Sequence, residues 1–432
     1  MKRQWLTAVV LLAAMAVVPA AEAQQQRLVV RDLFGLGHLR LLCPIVGCNV
    51  GLNLGDPLQQ LFVVTPRQGI GLNSLLSTLL LQVGILDAEV DQTIALLSPT
   101  LTGIPGGLYD ILPDYYYGSY VWNGYVNQPA SQIVRVSESQ KKFNVSGVGI
   151  VALIDTGLDP RHPALAQVVL PGYDFTRNSV GADETGDLDH STAGVLDGGP
   201  GIAMYVTPWL AAVVPPAGAA ALNNPAYSAF GHGTMTAGLV HLVAPTAKIL
   251  PLKAFGANGT GYASDVVRAL YYAAAHGANV VSMSFSFNTA SPEMQKAVNY
   301  AMAQGLTCVA AAGNDGKKIS VYPASYGGVI GVASTSNSDT RSSFSNYGQQ
   351  VVWVAAPGEG VVSSFPFSTY ASASGTSFST PLVSGTIALL NDLKKGMGPA
   401  NMKNAVGTAV YLSPELNRGR LDTSLALGSV DH

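Results

Sequence analysis

The chain has 432 residues, 48% of them hydrophobic and 11% charged, with a formal net charge of −3. It is long enough for about two to three domains and too apolar to be disordered by composition, and no global positive field exists to attract nucleic acid or an anionic membrane. Three cysteines exclude a disulfide scaffold: Cys43 and Cys48 are the only pair close in sequence, bridged or free, and Cys308 sits in an apolar run and reads as core.

In chain order, Lys2 and Arg3 precede an apolar stretch from Trp5 to Val18, followed by Pro19 and the small-x-small triplet Ala21-Glu22-Ala23. That stretch is shorter than the roughly 20 residues of a membrane-spanning helix, so residues 1–23 read as a signal peptide and not as an anchor. The mature protein is expected to be secreted or periplasmic, with no membrane contact. From Gln24 to Leu97 come strand-like runs at Arg27–Arg31 and Leu61–Thr65, a helical stretch at Asn73–Leu81 and alternation through Ile85–Asp91, together a small α+β unit. Residues 98–130, with Pro, Gly, Asn and the run Tyr115-Tyr116-Tyr117 but no sustained periodicity, read as a linker.

From about Ser131 short strands that are apolar on both faces alternate with helices, as a buried parallel sheet requires. The strands are expected at Gly149–Ile154, Lys248–Lys253, Asn279–Ser284, Thr307–Ala312, Val329–Ala333 and Val351–Ala355. Ser264 is expected to open a helix over Asp265–His276 that Gly277 stops, and Ser291-Pro292-Glu293 to open one ending at Gly305. The fold class is α/β with a doubly wound parallel sheet, in which ligands gather at the carboxyl ends of the strands.

Four polar sites fall at such ends. Asp155, in Asp155-Thr156-Gly157, leaves an apolar strand and is either catalytic or a turn residue. Only one Asp-Thr-Gly occurs, so a shared-proton carboxylate dyad is disfavoured. His232 stands between Gly231 and Gly233 before a segment of small residues; His162 and His190 have weaker context, and no His/Cys spacing matches a zinc site. Ala310-Ala311-Ala312-Gly313-Asn314 ends a strand with an amide that either serves an oxyanion or forms an Asx turn. Ser377, in Ser374-Gly375-Thr376-Ser377-Phe378-Ser379-Thr380-Pro381, precedes an apolar helix; Pro381, placed in the first turn, sets Ser377 at the helix N-terminus, either as nucleophile or as an ordinary cap.

In the order Asp155, His232, Asn314, Ser377, the segments IDTGLDPRHP, GHGT, AAAGN and SGTSFSTP resemble the signature set of the subtilisin-like serine proteases, and VYPASYGGVIGVAS, SSFSNYG, VAAPG and the closing GRLD match further. The resemblance covers about residues 131–427 and implies a secreted serine endopeptidase with Asp155, His232 and Ser377 as triad and Asn314 in the oxyanion hole. It implies a substrate cleft lined by Ser284, Phe285, Ser286, Ala312 and Gly313, protein or peptide substrates, no catalytic metal and no cofactor required for the chemistry. Ile85–Asp91 is similar to the end of an inhibitory propeptide, which makes residues 24–97 an intramolecular inhibitor, 98–130 the activation region and the protein a zymogen; a permanent accessory domain is the other reading. The long loop around Cys43-Pro44 is not typical of such propeptides.

Several departures stand out. Ala164 occupies the place of an Asp that helps bind calcium, so structural calcium is left open, with Asp183, Glu184 and Asp187 as substitute carboxylates. Met235, Phe378, Ser379 and Leu382 replace customary residues, and residues 178–228 look like an insertion. Ser284-Phe285-Ser286-Phe287 replaces Ser-Leu-Gly-Gly, with two Phe expected to narrow the pocket mouth. The rival functions are a catalytically idle fold used as a binding module, opposed by retention of all four polar roles, and a Ser esterase, opposed by the absence of a Gly-x-Ser-x-Gly elbow around Ser377.

Overall fold

The computed structural model describes residues 26–96, 105–189, 203–206, 210–214 and 224–431. The expected signal peptide, residues 97–104, His190 and about half of the expected insertion lie outside them.

Eight strands form the central sheet, in the spatial order Ser179–Val180, Tyr173–Asp174, Lys248–Lys253, Ile150–Asp155, Val280–Met283, Thr307–Ala311, Ile330–Thr335 and Val354–Pro357. All neighbours pair in parallel except at the Ser179–Val180 edge. The Ile150–Asp155 strand lies at the reversal of strand order, with Val151 registered against Ile249 on one side and Val280 on the other. The crevice beyond such a switch point is where α/β sheets place their ligands. Asp155 is the last residue of that strand.

The sheet is buried on both faces, which explains the continuous Val, Ile, Leu and Ala runs. One face is covered by the helices His232–Val243 and Thr376–Leu393, the second buried along its first fifteen residues. The other is covered by the helices Ala263–Ala275 and Pro292–Ala303. The second of these starts at Ser291 as expected, with Ser291 Oγ accepting Met294 N–H. The first begins at Ala263, so Ser264 is already inside it, and its N–H is met by Asp91 Oδ1 at 2.9 Å. A cap arriving from so far away in sequence leaves no local signature at the helix start.

The N-terminal unit is a four-stranded antiparallel sheet in the order Cys48–Asn53, Leu61–Pro66, Leu28–Asp32, Ile85–Val90, with helices Leu36–Val46 and Leu72–Leu80. Strand alternation divides its side chains. Leu28, Val30, Phe62 and Val64 meet the unit's own helices, whereas Val29, Leu61 and Val63 join the cluster that contains Val266, Val267 and Met294. The expected loop around Cys43-Pro44 is instead the end of the Leu36–Val46 helix. Leu39, Leu42 and Cys43 form a buried stripe, Pro44 costs the last turn one hydrogen bond, and the Cys43–Cys48 disulfide ties that turn to the next strand. Arg31 on the Leu28–Asp32 strand grips Glu293 at 2.6 Å, Glu89 accepts Ser291 Oγ–H at 2.5 Å, and Arg27 pairs with Asp91 at 2.7 Å. The unit ends in a short strand, Thr93–Ala95, antiparallel to Thr260–Tyr262, with Leu96 N–H donating to Gly259 O at 2.8 Å.

The linker expectation for 98–130 is corrected over 105–130. A hairpin of Pro113–Tyr116 and Ser119–Trp122 leads into short helical turns, and Leu108 and Tyr125 are fully buried in the main core. Tyr125 Oη donates to Gly238 O and Tyr116 Oη to Leu242 O, both at 2.6 Å. Gln128 completes the edge of the Val361–Phe365 strand, giving to Val362 O and accepting from Val362 N. Tyrosines and one amide do this packing from aperiodic positions, so no hydrophobic period announces it.

Candidate active site

The Asp155 carboxylate is buried and held by three donors. Oδ1 accepts the Thr156 N–H and the His232 Nδ1–H, both at 2.7 Å, and Oδ2 accepts Thr236 Oγ1–H at 3.1 Å. His232 is the first residue of its helix and follows Gly231, whose φ of 86° is a left-handed value that suits glycine. The turn presses against the Asp155 loop so closely that a Cβ on Gly233 would lie 1.8 Å from Gly157 O. Only glycine permits that approach. His232 Nε2 is buried and is without a hydrogen-bond partner among the described residues. The imidazole faces the Phe378 ring at a centroid distance of 5.4 Å.

Ser377 is the second residue of the Thr376–Leu393 helix and is 5% exposed. Its Oγ–H donates to Ser284 O at 2.8 Å, and Ser284 Oγ–H donates back to Ser377 O at 2.9 Å. Pro381 therefore falls in the second turn of the helix, beyond the first-turn place expected from sequence. Asn314 follows the Thr307–Ala311 strand, and its Oδ1 accepts Thr376 N–H at 3.0 Å and Thr376 Oγ1–H at 2.9 Å. Because a backbone N–H can only donate, this contact fixes which end of the amide is oxygen.

Ser284, Phe285 and Ser286 extend the Val280–Met283 strand, and Ala312 and Gly313 extend the neighbouring one. The two Phe do not narrow the mouth as expected. Phe285 is buried against Phe255 at 5.1 Å, and Phe287 lies beside Tyr322, to which its backbone is bonded in both directions. Ser286, between them, is the residue that faces Gly313.

His162 is not part of this cluster. Its Nε2 donates to Thr369 O and its Nδ1 accepts Ala164 N–H, and burial pushes its pKa down to about 4. The substitute calcium carboxylates are engaged by protein donors: Asp183 caps Thr185 and pairs with Arg161, and Asp187 pairs with Arg177 and Lys253. Among the described residues no group of three or more His, Cys, Asp or Glu is arranged to hold a metal. Glu184 lies beneath the Asp155 and His232 loops, accepting from Thr156, Gly231 and Thr234. Thr236 is a site residue not singled out from the sequence, and Glu184 was singled out there only as a substitute calcium carboxylate. Thr236 sits one helical turn after His232, a spacing that could have flagged it.

A profile of the Subtilase family matches residues 147–428. Among curated proteins, thermitase of Thermoactinomyces vulgaris is 38% identical over 257 residues, covering 59% of this chain and 78% of thermitase. Subtilisin Savinase of Lederbergia lenta is 36% identical over 183 residues, 40% of this chain and 68% of its own length. In three dimensions the chain is similar to fervidolysin of Fervidobacterium pennivorans, a keratinolytic enzyme related to subtilisin, with a TM-score of 0.69 at 22% identity. That match covers 93% of this chain and 61% of fervidolysin, and it speaks to fold alone. A cold-adapted subtilisin-like serine proteinase matches with a TM-score of 0.51 at 26% identity, over 65% of this chain and 89% of the other.

Proposed function

Because this chain belongs to the subtilase family and is a subtilisin-like serine endopeptidase acting on proteins or peptides, we propose that Asp155, His232 and Ser377 are its catalytic triad and Asn314 its oxyanion donor. One observation carries this reading: the Asp155 carboxylate holds His232 Nδ1 at 2.7 Å while the buried Nε2 has no partner among the described residues. With Nδ1 kept as N–H by the carboxylate, Nε2 is the basic lone pair. Ser377 Oγ exchanges its bond to Ser284 O for one to Nε2, passes its proton there and attacks the scissile carbonyl. The oxyanion forms beside the start of the Thr376–Leu393 helix, whose dipole favours negative charge, within reach of the Asn314 amide and the Ser377 N–H. His232 then protonates the leaving amine, and the same base activates water to release the acyl group. Ser284, Ser286, Ala312 and Gly313 would line the substrate's path, with the Phe285 ring buried behind them.

The N-terminal unit, residues 24–97, we read as the propeptide and intramolecular inhibitor, and residues 1–23 as an export signal that places the enzyme outside the cytoplasm. The pairing of Thr93–Ala95 with Thr260–Tyr262, which adds a strand from the N-terminal unit to the catalytic unit, supports the inhibitor role. No step uses a metal. Ala164 offers no oxygen side chain, and the nearby carboxylates are bonded to protein donors, so these residues do not fit the family's calcium ion.

Labelling the purified enzyme with a fluorophosphonate and mapping the modified peptide tests the assignment. The label is expected on Ser377, and Ser377→Ala is expected to fold but to lose both labelling and hydrolysis of an unfolded protein. Hydrolysis by Ser377→Ala, or a label elsewhere, overturns it.

A further inference from the structure

Glu184 is buried, 1% exposed, at the head of the insertion and 48 residues before His232 in sequence. Four donors converge on its two oxygens. Oε2 accepts Thr156 Oγ1–H at 2.8 Å and Gly231 N–H at 3.0 Å; Oε1 accepts Thr234 N–H at 3.0 Å and Thr234 Oγ1–H. Thr156 follows Asp155, and Gly231 and Thr234 lie on either side of His232, so this one side chain joins the two loops whose spacing sets the Asp155–His232 bond.

The threonines extend the tie. Thr156 Oγ1 accepts Gly233 N–H at 2.9 Å, and Thr234 Oγ1 accepts Asp159 N–H at 2.8 Å, so each hydroxyl accepts a hydrogen bond from the opposite loop and donates one to Glu184. Four donors leave no acceptor for a carboxyl proton, so the geometry suits the anion, although burial outweighs those hydrogen bonds and pushes its pKa up to about 8. Lys253 and Asp155 are the charged groups that face it. Lys253, itself buried, bonds to Thr156 O and Phe255 O, which ties the same loop from the sheet side.

We propose that Glu184 is a positioning residue for catalysis: a buried carboxylate buckle that holds the Asp155 and His232 loops in register. The proposal rests on the triad reading above. It assigns to the head of the insertion a part in the reaction without contact to substrate.

The test is Glu184→Gln in enzyme expressed as the whole chain and allowed to process itself, with kcat expressed per site titrated to completion by fluorophosphonate so that unfolded molecules are not counted. Gln keeps the shape but offers one acceptor oxygen for four donors. The expected result is a fall in kcat of the order of 10²-fold at nearly unchanged KM, since small misalignments of catalytic groups cost about that much. The acid limb of the pH–rate profile is expected to move to lower pH, because His232 loses alignment with its counter-ion. Asp183→Asn, which alters the same turn on its solvent side, is expected to leave both unchanged.

Wild-type kcat with an unmoved acid limb in Glu184→Gln, while Ser377→Ala is inactive, overturns the buckle and leaves the triad standing. Activity in Ser377→Ala overturns the triad itself. If Glu184→Gln does not fold, Thr156→Val removes one of the four donors and reads the same quantity: lowered kcat at constant KM supports the proposal, and wild-type kcat overturns it.

Discussion

Pro381 has no N–H, so the carbonyl of Ser377, four residues earlier in the same helix, loses its usual donor. Ser284 Oγ supplies the missing hydrogen at 2.9 Å, which makes a residue expected in the substrate cleft also a strut for the proposed nucleophile. Ser284→Ala is therefore expected to lower stability by roughly 1–3 kcal/mol, the cost of a buried carbonyl left unpaired. Denaturant unfolding measures this, and in a Pro381→Ala background the cost is expected to shrink because the helical N–H returns. Equal costs in both backgrounds would separate the two residues. At this scale the motif residues were legible because Asp155, His232, Asn314 and Ser377 each sit in a short, chemically distinctive run. Glu184 was not, since its donors lie 28 to 50 residues away and a lone acidic residue in an insertion looks solvated or metal-binding.

Two helices of the catalytic unit receive carboxylates from the Ile85–Asp91 stretch, Asp91 at Ala263–Ala275 and Glu89 through the cap residue Ser291 of Pro292–Ala303. The alternation of that stretch was readable as a strand, but its capping role was not, because the partner ends lie 173 and 202 residues downstream. Burial pushes the Glu89 carboxyl up to about 7 from an ordinary 4.5, Glu293 and Asp87 push the same way, and Glu89 Oε2 has no hydrogen-bond partner among the described residues. A group whose pKa rises on docking takes up a proton as the units join. The contribution to docking is fully present below about 4.5 and is lost as pH rises through about 7. In chains already cut but still associated, the N-terminal unit is thus expected to leave more readily at pH 7 than at pH 5, by up to about ten-fold in affinity per pH unit for this group. Release followed by the onset of activity measures it. Glu89→Gln is expected to flatten the dependence, and an unaltered slope would place the control elsewhere.

At the scale of the molecule, six strands of the sheet were legible because buried parallel strands are written as uninterrupted apolar runs, whereas their order and the two short edge strands were not. Residues 105–130 were misread because their anchors are Tyr116, Tyr125 and Gln128, which pack through a ring or an amide while ending in a hydrogen bond. That correction narrows where activation can occur. A cut within 105–130 would open the main core, so the wild-type protein is expected to begin between residues 97 and 105 after maturation, whereas Ser377→Ala accumulates as a precursor starting near Gln24. Intact mass of the two proteins decides this. Full activity in a wild-type chain that keeps residues 24–96 would make the unit a permanent domain.

The chain's one bridge, Cys43–Cys48, lies in the segment that maturation would discard, and the remaining thiol, Cys308, is buried with its pKa pushed up to about 12. The finished protease then holds no cross-link to break and no thiolate to react. Reducing conditions could act on it only during its assembly, while the bridged helix of the N-terminal unit is still needed, and would leave the working enzyme untouched.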